Sequence, residues 1–301
     1  MRVLMCRYRD EARLGVVSGG QVVIPALGES WPPEIDDVLS LIAGGPALME
    51  RLRELLDSTE GVVRVAGNEF QYLAPIPRPR KNVMCLGWNY AEHVQETSGS
   101  KKLSSDLPEH PIVFTKSSSS VTGPYDEVPY FGDVTQEMDW EVELGVIIGH
   151  GGRAIAKEKA LEHVFGYTVI NDLSARDLQF RHQQFFLGKS LDGACPMGPW
   201  VTTADEIPDP QDLNLSCRVN GTTKQSSNTR HMIFDVATTI AVLSRGMTLE
   251  PGDVIATGTP SGVGFTREPP EFLKPGDVVE CEVERIGMIR NRMGMPSKTT
   301  P

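Results

Sequence analysis

Two runs at the start of the chain, residues 2–8 and 13–24, are mostly apolar or β-branched, and Gly19-Gly20 breaks the second. That pattern predicts short strands joined by a hairpin turn. Between 34 and 57 the apolar positions Ile35, Val38, Leu39, Leu41, Ile42, Leu48, Leu52, Leu55 and Leu56 recur at helical spacing, interrupted at Gly44-Gly45-Pro46. The spacing predicts a helix or a helix pair. Three prolines, Pro75, Pro77 and Pro79, then mark an extended connector over 73–82. A small N-terminal α+β domain over 1–75 and a larger domain over 76–301 are the expected units.

Beyond the connector the period shortens. Residues 83–87 read as a buried strand, and strand signals recur at Ile112–Phe114, Leu144–Ile148, Tyr167–Ile170, Leu213–Val219, Asp253–Ala256 and Val278–Glu284. Helical spacing is clear only near 157–165 and 233–245, and the polar stretch 97–111 reads as a mobile loop. Many short strands with Gly/Pro turns predict an α+β fold that is mainly β. Without a regular alternation of strand and helix, a doubly wound sheet is not expected.

Charge narrows the partners. The 301 residues carry 29 Lys+Arg against 40 Asp+Glu, a formal charge of −11. Phosphate-backbone binding needs a basic surplus, so no nucleic-acid partner is expected, and docking on anionic membranes is disfavoured too. No stretch approaches the roughly 18 apolar residues of a membrane span. Arg2, Arg7, Arg9 and Asp10 interrupt the N-terminus where a signal peptide needs an apolar run. A cytoplasmic protein is expected. The five cysteines, Cys6, Cys85, Cys195, Cys217 and Cys281, are scattered without a CxxC pair and read as small buried residues.

Five segments carry candidate chemistry. In Asp139-Trp140-Glu141-Val142-Glu143-Leu144, residues two apart share a strand face, so Glu141 and Glu143 project together ahead of a buried run. Paired carboxylates repel unless something neutralises them, and a divalent cation does so through oxygen ligands. Spacing alone favours the plainer reading, an exposed strand face. Asp172 ends an apolar strand, where a third ligand or a turn cap belongs, and Arg176-Asp177 reads as a surface ion pair. His93 and Glu96 are three apart, so a helical turn would put base and orienting carboxylate on one face, as in any helix-surface pair. The turn at Thr257-Gly258-Thr259-Pro260-Ser261-Gly262 is a tight β-turn or an anion cradle, and Lys189 a loop lysine.

Taken in order, N-Y-x-x-H-x-x-E, F-x-K at Phe114–Lys116, W-E-V-E-L-G, N-D-L-S-A-R-D, G-K-S-L-D-G and G-T-P-S-G-V-G closely resemble the fumarylacetoacetate hydrolase family across about residues 80–292. The resemblance implies a mixed β-roll core, usually a homodimer. It implies one Mg²⁺ or Mn²⁺ on Glu141, Glu143 and Asp172, and a His93–Glu96 dyad on a lid. Lys189 would stabilise a developing enolate, while Gln179, Gly258 and Thr259 would meet the substrate. On such a lid Lys101 or Lys102 would reach the substrate's distal end, although the plainer reading of both, solvated loop lysines, is the favoured one. Animal-type members place a fourth metal carboxylate shortly before the catalytic histidine, whereas Cys85-Leu86-Gly87-Trp88-Asn89 holds no acid. That places the chain nearer acylpyruvate hydrolases and oxaloacetate decarboxylases. The implied reaction is hydrolysis of a C–C bond in a 2,4-dioxo acid through a metal-stabilised enolate. Two alternatives share that enolate: decarboxylation or isomerisation of a 2-oxo acid such as oxaloacetate, where loss of CO₂ produces it, and dehydration of a 2-keto-3-deoxy sugar acid, which starts from it.

Overall fold

The computed structural model describes residues 1–26, 34–57, 61–101 and 106–295, without the side chains of 98–101. The first strands are β1 (Arg2–Tyr8), β2 (Glu11–Ser18) and β3 (Gln21–Pro25), followed by α1 (Val38–Asp57), β4 (Val62–Val65) and β5 (Gln71–Leu73). Gly45, with φ +62°, kinks α1 where the sequence predicts an interruption. Next come β6 (Val83–Gly87), α2 (Ala91–Lys101), β7 (Ile112–Lys116), β8 (Val121–Thr122), β9 (Glu127–Val128), β10 (Met138–Asp139) and β11 (Val142–Ile148). The central segment holds β12 (Val164–Asn171), β13 (Ser174–Ala175), α3 (Arg176–Arg181), α4 (Phe186–Lys189) and β14 (Cys195–Thr203). The chain continues through β15 (Asn214–Val219), β16 (Thr222–Asn228), α5 (Val236–Ser244), β17 (Val254–Ala256), β18 (Val278–Val283) and β19 (Gly287–Met293).

The fold is α+β and mainly β, with large mixed sheets. Among the described residues the larger sheet runs β4-β3-β2-β1-β14-β12-β11-β17-β6-β7, with β5 beside β1 and β8 beside β14. The smaller runs β16-β15-β18-β19-β9. The boundary expected at 75/76 lies between β5 and β6, and the sheet continues across it, because β1 pairs with β14. Val3, Met5, Leu41 and Leu52 pack in one cluster with Val83, Ile147, Ile170 and Met197.

Alternation along β11 sends its neighbours to opposite layers. Val142, Leu144, Val146 and Ile148 pack with Leu215, Cys217, Val279 and Cys281 of the smaller sheet. Ile147 faces the other cluster, and period two puts Glu143 on its side. Two expectations shift. The helix signal near 157–165 is a 3-10 turn, Lys157–His163, because β12 already begins at Val164. The expected loop at 97–111 starts later, since α2 runs to Lys101; of its remainder, 102–105 lie outside the described residues.

Leu144 is fully buried and Val113 is 43% exposed. Leu144→Ala should therefore cost about 2–5 kcal/mol in urea unfolding, while Val113→Ala should stay within about 0.5 kcal/mol. Equal effects would contradict this placement of β11.

Candidate active site

The site grows from one end of the β11–β12 ladder. Val142 pairs with Asn171 and Glu143 with Ile170, so Glu141 and Asp172 fall side by side where the ladder ends. The Asp172 N–H donates to the Glu141 carbonyl at 2.8 Å. Carboxylate oxygens of Glu141, Glu143 and Asp172 lie within 4.8 Å of one another, and all three residues are buried.

Three buried cations answer them. Lys189 ends α4 and reaches Glu141 at 2.8 Å and Asp172 at 2.9 Å. Lys116, fully buried at the end of β7, reaches the other Asp172 oxygen at 2.6 Å and donates to the Leu173 carbonyl at 3.0 Å. Arg176 pairs with Glu141 at 2.7 Å and with Asp139 at 2.9 Å. Asp139 also accepts the N–H groups of Trp140, Gly264 and Phe265. The expected surface pair Arg176-Asp177 is corrected: Arg176 is 2% exposed and turned inward, while Asp177 accepts from the Thr135 hydroxyl. Lys189 likewise is no loop lysine, being 1% exposed.

Four carboxylates against three cations leave one negative charge in the cluster. The acid left without an ion pair among the described residues is Glu143. Burial and the neighbouring Asp172 and Glu141 charges hold its carboxyl well above the usual range. Burial acts upward on Glu141 too, but the charges of Lys189 and Arg176 outweigh it and bring the carboxyl down to about 2. Glu143 Oε2 accepts the Gly258 N–H at 2.7 Å, and its buried Oε1 has no hydrogen-bond partner. A buried carboxylate oxygen without a donor is costly, and it faces two more carboxylates. Such an oxygen donor set suits a hard divalent cation.

The dyad is built from the other side. His93 Nδ1 lies 2.8 Å from Glu96 Oε1, and the Gly262 N–H donates to both Glu96 oxygens at 3.1 and 2.9 Å. Asn89, fully buried, anchors the start of α2. Its amide donates to the carbonyls of Phe234 and Thr257, and its oxygen accepts the Phe234 N–H. The turn after β17 runs beside β11, where Thr257 donates to the Leu144 carbonyl. Gly258 has φ +95°, and a β-carbon there would lie 2.7 Å from Asn89 Cβ. The Gly258 N–H is spent on Glu143 rather than on a ligand. The Thr259 hydroxyl donates to the Val142 carbonyl and accepts from Gln225.

Between these halves lies a cleft. His93, Glu141, Arg176, Gln179, Lys189 and Thr259 line it, walled by Leu86, Trp88, Phe114, Phe180, Phe185 and Phe265. Lys189 Nζ stands 4.9 Å from the Phe114 ring centre, and the Arg176 guanidinium 4.4 Å from that of Phe265. Gln179 Oε1 accepts from Arg176 at 2.9 Å. The sequence reading named His93, Glu96, Glu141, Glu143, Asp172, Gln179, Lys189, Gly258 and Thr259, and the fold gathers them here. It gave no site role to Lys116, Asn89, Asp139 or Arg176. The F-x-K and S-A-R-D motifs held two of them, but nothing local distinguishes a buried cation from a solvated one. Lys101 and Lys102, expected at the distal end, lie outside the described side chains.

Comparison with known proteins agrees with this architecture. The family model described as Fumarylacetoacetate (FAA) hydrolase C-terminal matches residues 82–294. Oxaloacetate tautomerase YisK of Bacillus subtilis is 46% identical over 263 residues, covering 85% of this chain and 86% of that protein. The structure of a fumarylacetoacetate hydrolase from Exiguobacterium antarcticum superposes with a TM-score of 0.83 at 41% identity, covering 98% and 99% of the two chains. That of maleylpyruvate hydrolase from Sphingobium sp. SYK-6, in complex with manganese(II) and pyruvate, gives 0.76 at 30% identity, covering 99% and 100%. The chain belongs to the fumarylacetoacetate hydrolase family and is one of its enzymes.

Proposed function

We propose that this enzyme interconverts the keto and enol forms of a small 2-oxo dicarboxylic acid of the oxaloacetate type, with one Mg²⁺ or Mn²⁺. One observation carries the reading: a histidine base, oriented by a carboxylate, faces an ion cluster that is one positive charge short. The likeness to an oxaloacetate tautomerase over 85% of the chain supports the choice of acid. Glu141, Glu143 and Asp172 would hold the cation, which when bound supplies Lewis acidity toward the 2-oxo group.

The chain's own groups do the rest. Glu96 occupies His93 Nδ1 and leaves Nε2 for the substrate. In one direction Nε2 takes the proton from C3, and the imidazolium or solvent delivers a proton to the 2-oxo oxygen. In the other, the enol oxygen gives up its proton and Nε2 returns one to C3. Lys189, held at the cleft floor by Glu141 and Asp172, stabilises the charge that develops on the oxygen. Gln179 and Arg176 face the substrate's carboxylate end. Phe114, Phe180, Phe185 and Phe265 keep water from the reacting carbon. A homodimer and a cytoplasmic location belong to the same proposal; among the described residues, no helix is long and apolar enough to cross a membrane. Hydrolysis of an acylpyruvate is the second reading, favoured by the same dyad, which is equally able to activate water.

A panel of oxaloacetate, acylpyruvates and 2-keto-3-deoxy sugar acids, assayed with Mg²⁺ or Mn²⁺ and then with chelator, separates these. Enol decay of oxaloacetate should be the fastest reaction and should collapse on chelation. Faster acylpyruvate cleavage would replace the lead reading with the second. Glu141→Ala and Asp172→Ala should abolish cation-dependent turnover and Mn²⁺ binding by calorimetry. His93→Ala should cost about 10²–10⁴-fold in tautomerisation but much less in oxaloacetate decarboxylation, which needs no base at C3. Equal losses would argue against His93 as the base.

Glu143 gives the cation site a pH dependence. Its raised carboxyl keeps its proton to higher pH than an ordinary carboxylate and must release it to bind an ion. Apparent Mn²⁺ affinity should therefore rise with pH, about tenfold per unit below the folded pKa of Glu143. Calorimetry in buffers of different ionisation enthalpy should count one proton released by the wild type and none by Glu143→Gln.

A further inference from the structure

We infer that Arg267 is a positioning residue for the His93–Glu96 dyad and acts through the backbone at Gly262; this rests on the reading of that dyad given above. Glu96 has two fixed partners in the structure, the His93 ring and the Gly262 N–H. The direction of that N–H is set by the Ser261–Gly262 peptide plane, and so in part by φ at Gly262, which is +102°. No side chain is tolerated there, because a β-carbon would strike the Lys224 carbonyl. Glycine permits the conformation without enforcing it, since it also populates many others. Something else must hold it.

Two donors meet on the Gly262 carbonyl. Trp140 Nε1 lies 3.2 Å away, and so does Arg267 Nη2. The same Arg267 nitrogen donates to the Lys224 carbonyl at 2.9 Å, tying the turn to β16. The guanidinium stands 5.9 Å from the Trp140 ring centre. The N–H belongs to the Ser261–Gly262 peptide and the carbonyl to the next one. The clamp therefore acts by restraining φ and ψ at Gly262, which favours the orientation that keeps the N–H on Glu96. Arg267 itself is absent from the residues lining the cleft, so it reaches no substrate. Its side chain is 29% exposed and its nearest carboxylate is Glu271 at 3.8 Å, a weak ion pair. The clamp on Gly262 is the stronger reason for its position.

The effect should appear in proton transfer, not in cation or substrate binding. Arg267→Ala should lower kcat about 5–30-fold, leave KM and Mn²⁺ affinity near wild type, and displace the pH profile of kcat. Arg267→Lys should recover part of the loss, and Trp140→Phe, which removes only the second donor, should show a smaller loss of the same kind. The deciding measurement is a double-mutant cycle with Glu96→Ala. Arg267→Ala should add little once Glu96 is gone. A full, additive loss on that background, or a fall in kcat with an unmoved pH profile, would overturn the positioning role. If Arg267→Ala fails to fold, Arg267→Lys and Trp140→Phe carry the same cycle. Wild-type turnover by Glu96→Ala alone would instead refute the dyad, and with it this inference.

Discussion

Mutual repulsion among Glu141, Glu143 and Asp172 is the constraint that shapes the rest of the molecule. The β11–β12 register forces the three together inside the protein, where the dielectric is low and like charges interact strongly. Each solution to that repulsion recruits a distant segment. Lys116 comes from β7, Lys189 from α4, Arg176 from α3, and the Gly258 N–H from the turn after β17. The cluster is thus also a set of long-range crosslinks that fixes where these elements sit. Removing one member leaves its partner buried and uncompensated, which is costlier than the pair is stabilising.

The turn between β17 and Phe265 joins the two halves of the site. Gly258 holds Glu143, Gly262 holds Glu96, and Gly264 and Phe265 hold Asp139, which in turn holds Arg176. Backbone N–H groups make these contacts, so the geometry depends on the path of the chain more than on any one side chain. That path needs left-handed φ values at Gly258 and Gly262.

The sequence revealed the strands, because period-two apolar runs are intrinsic to half-buried sheet. It also revealed the two strands that carry the carboxylates, since Glu141, Glu143 and Asp172 border apolar segments, but not that these strands pair. Family motifs added the dyad and Lys189. Burial of cations stayed hidden. Arg176 follows a strand end and precedes an acid, a pattern that ordinarily lies on the surface, and only the tertiary fold turns it toward Asp139. Asn89 opens the N-Y-x-x-H-x-x-E motif, but its anchoring role was hidden for the same reason: its partners Phe234 and Thr257 are far away in sequence. The 3-10 turn at 157–163 shows a local preference yielding to the register of the following strand.

The cleft's walls and its machinery come from different kinds of residue. Phe185 packs its ring against that of Phe114, 5.6 Å away, and, unlike Phe114 beside the Lys189 ammonium, takes no part in the charged cluster or in the backbone clamp. Exchanging such a ring for another apolar group reshapes the space and leaves the charged apparatus intact. Natural selection can therefore retune which acid is accepted without rebuilding the device that moves its proton. Substrate choice and chemistry are, in this chain, separately heritable.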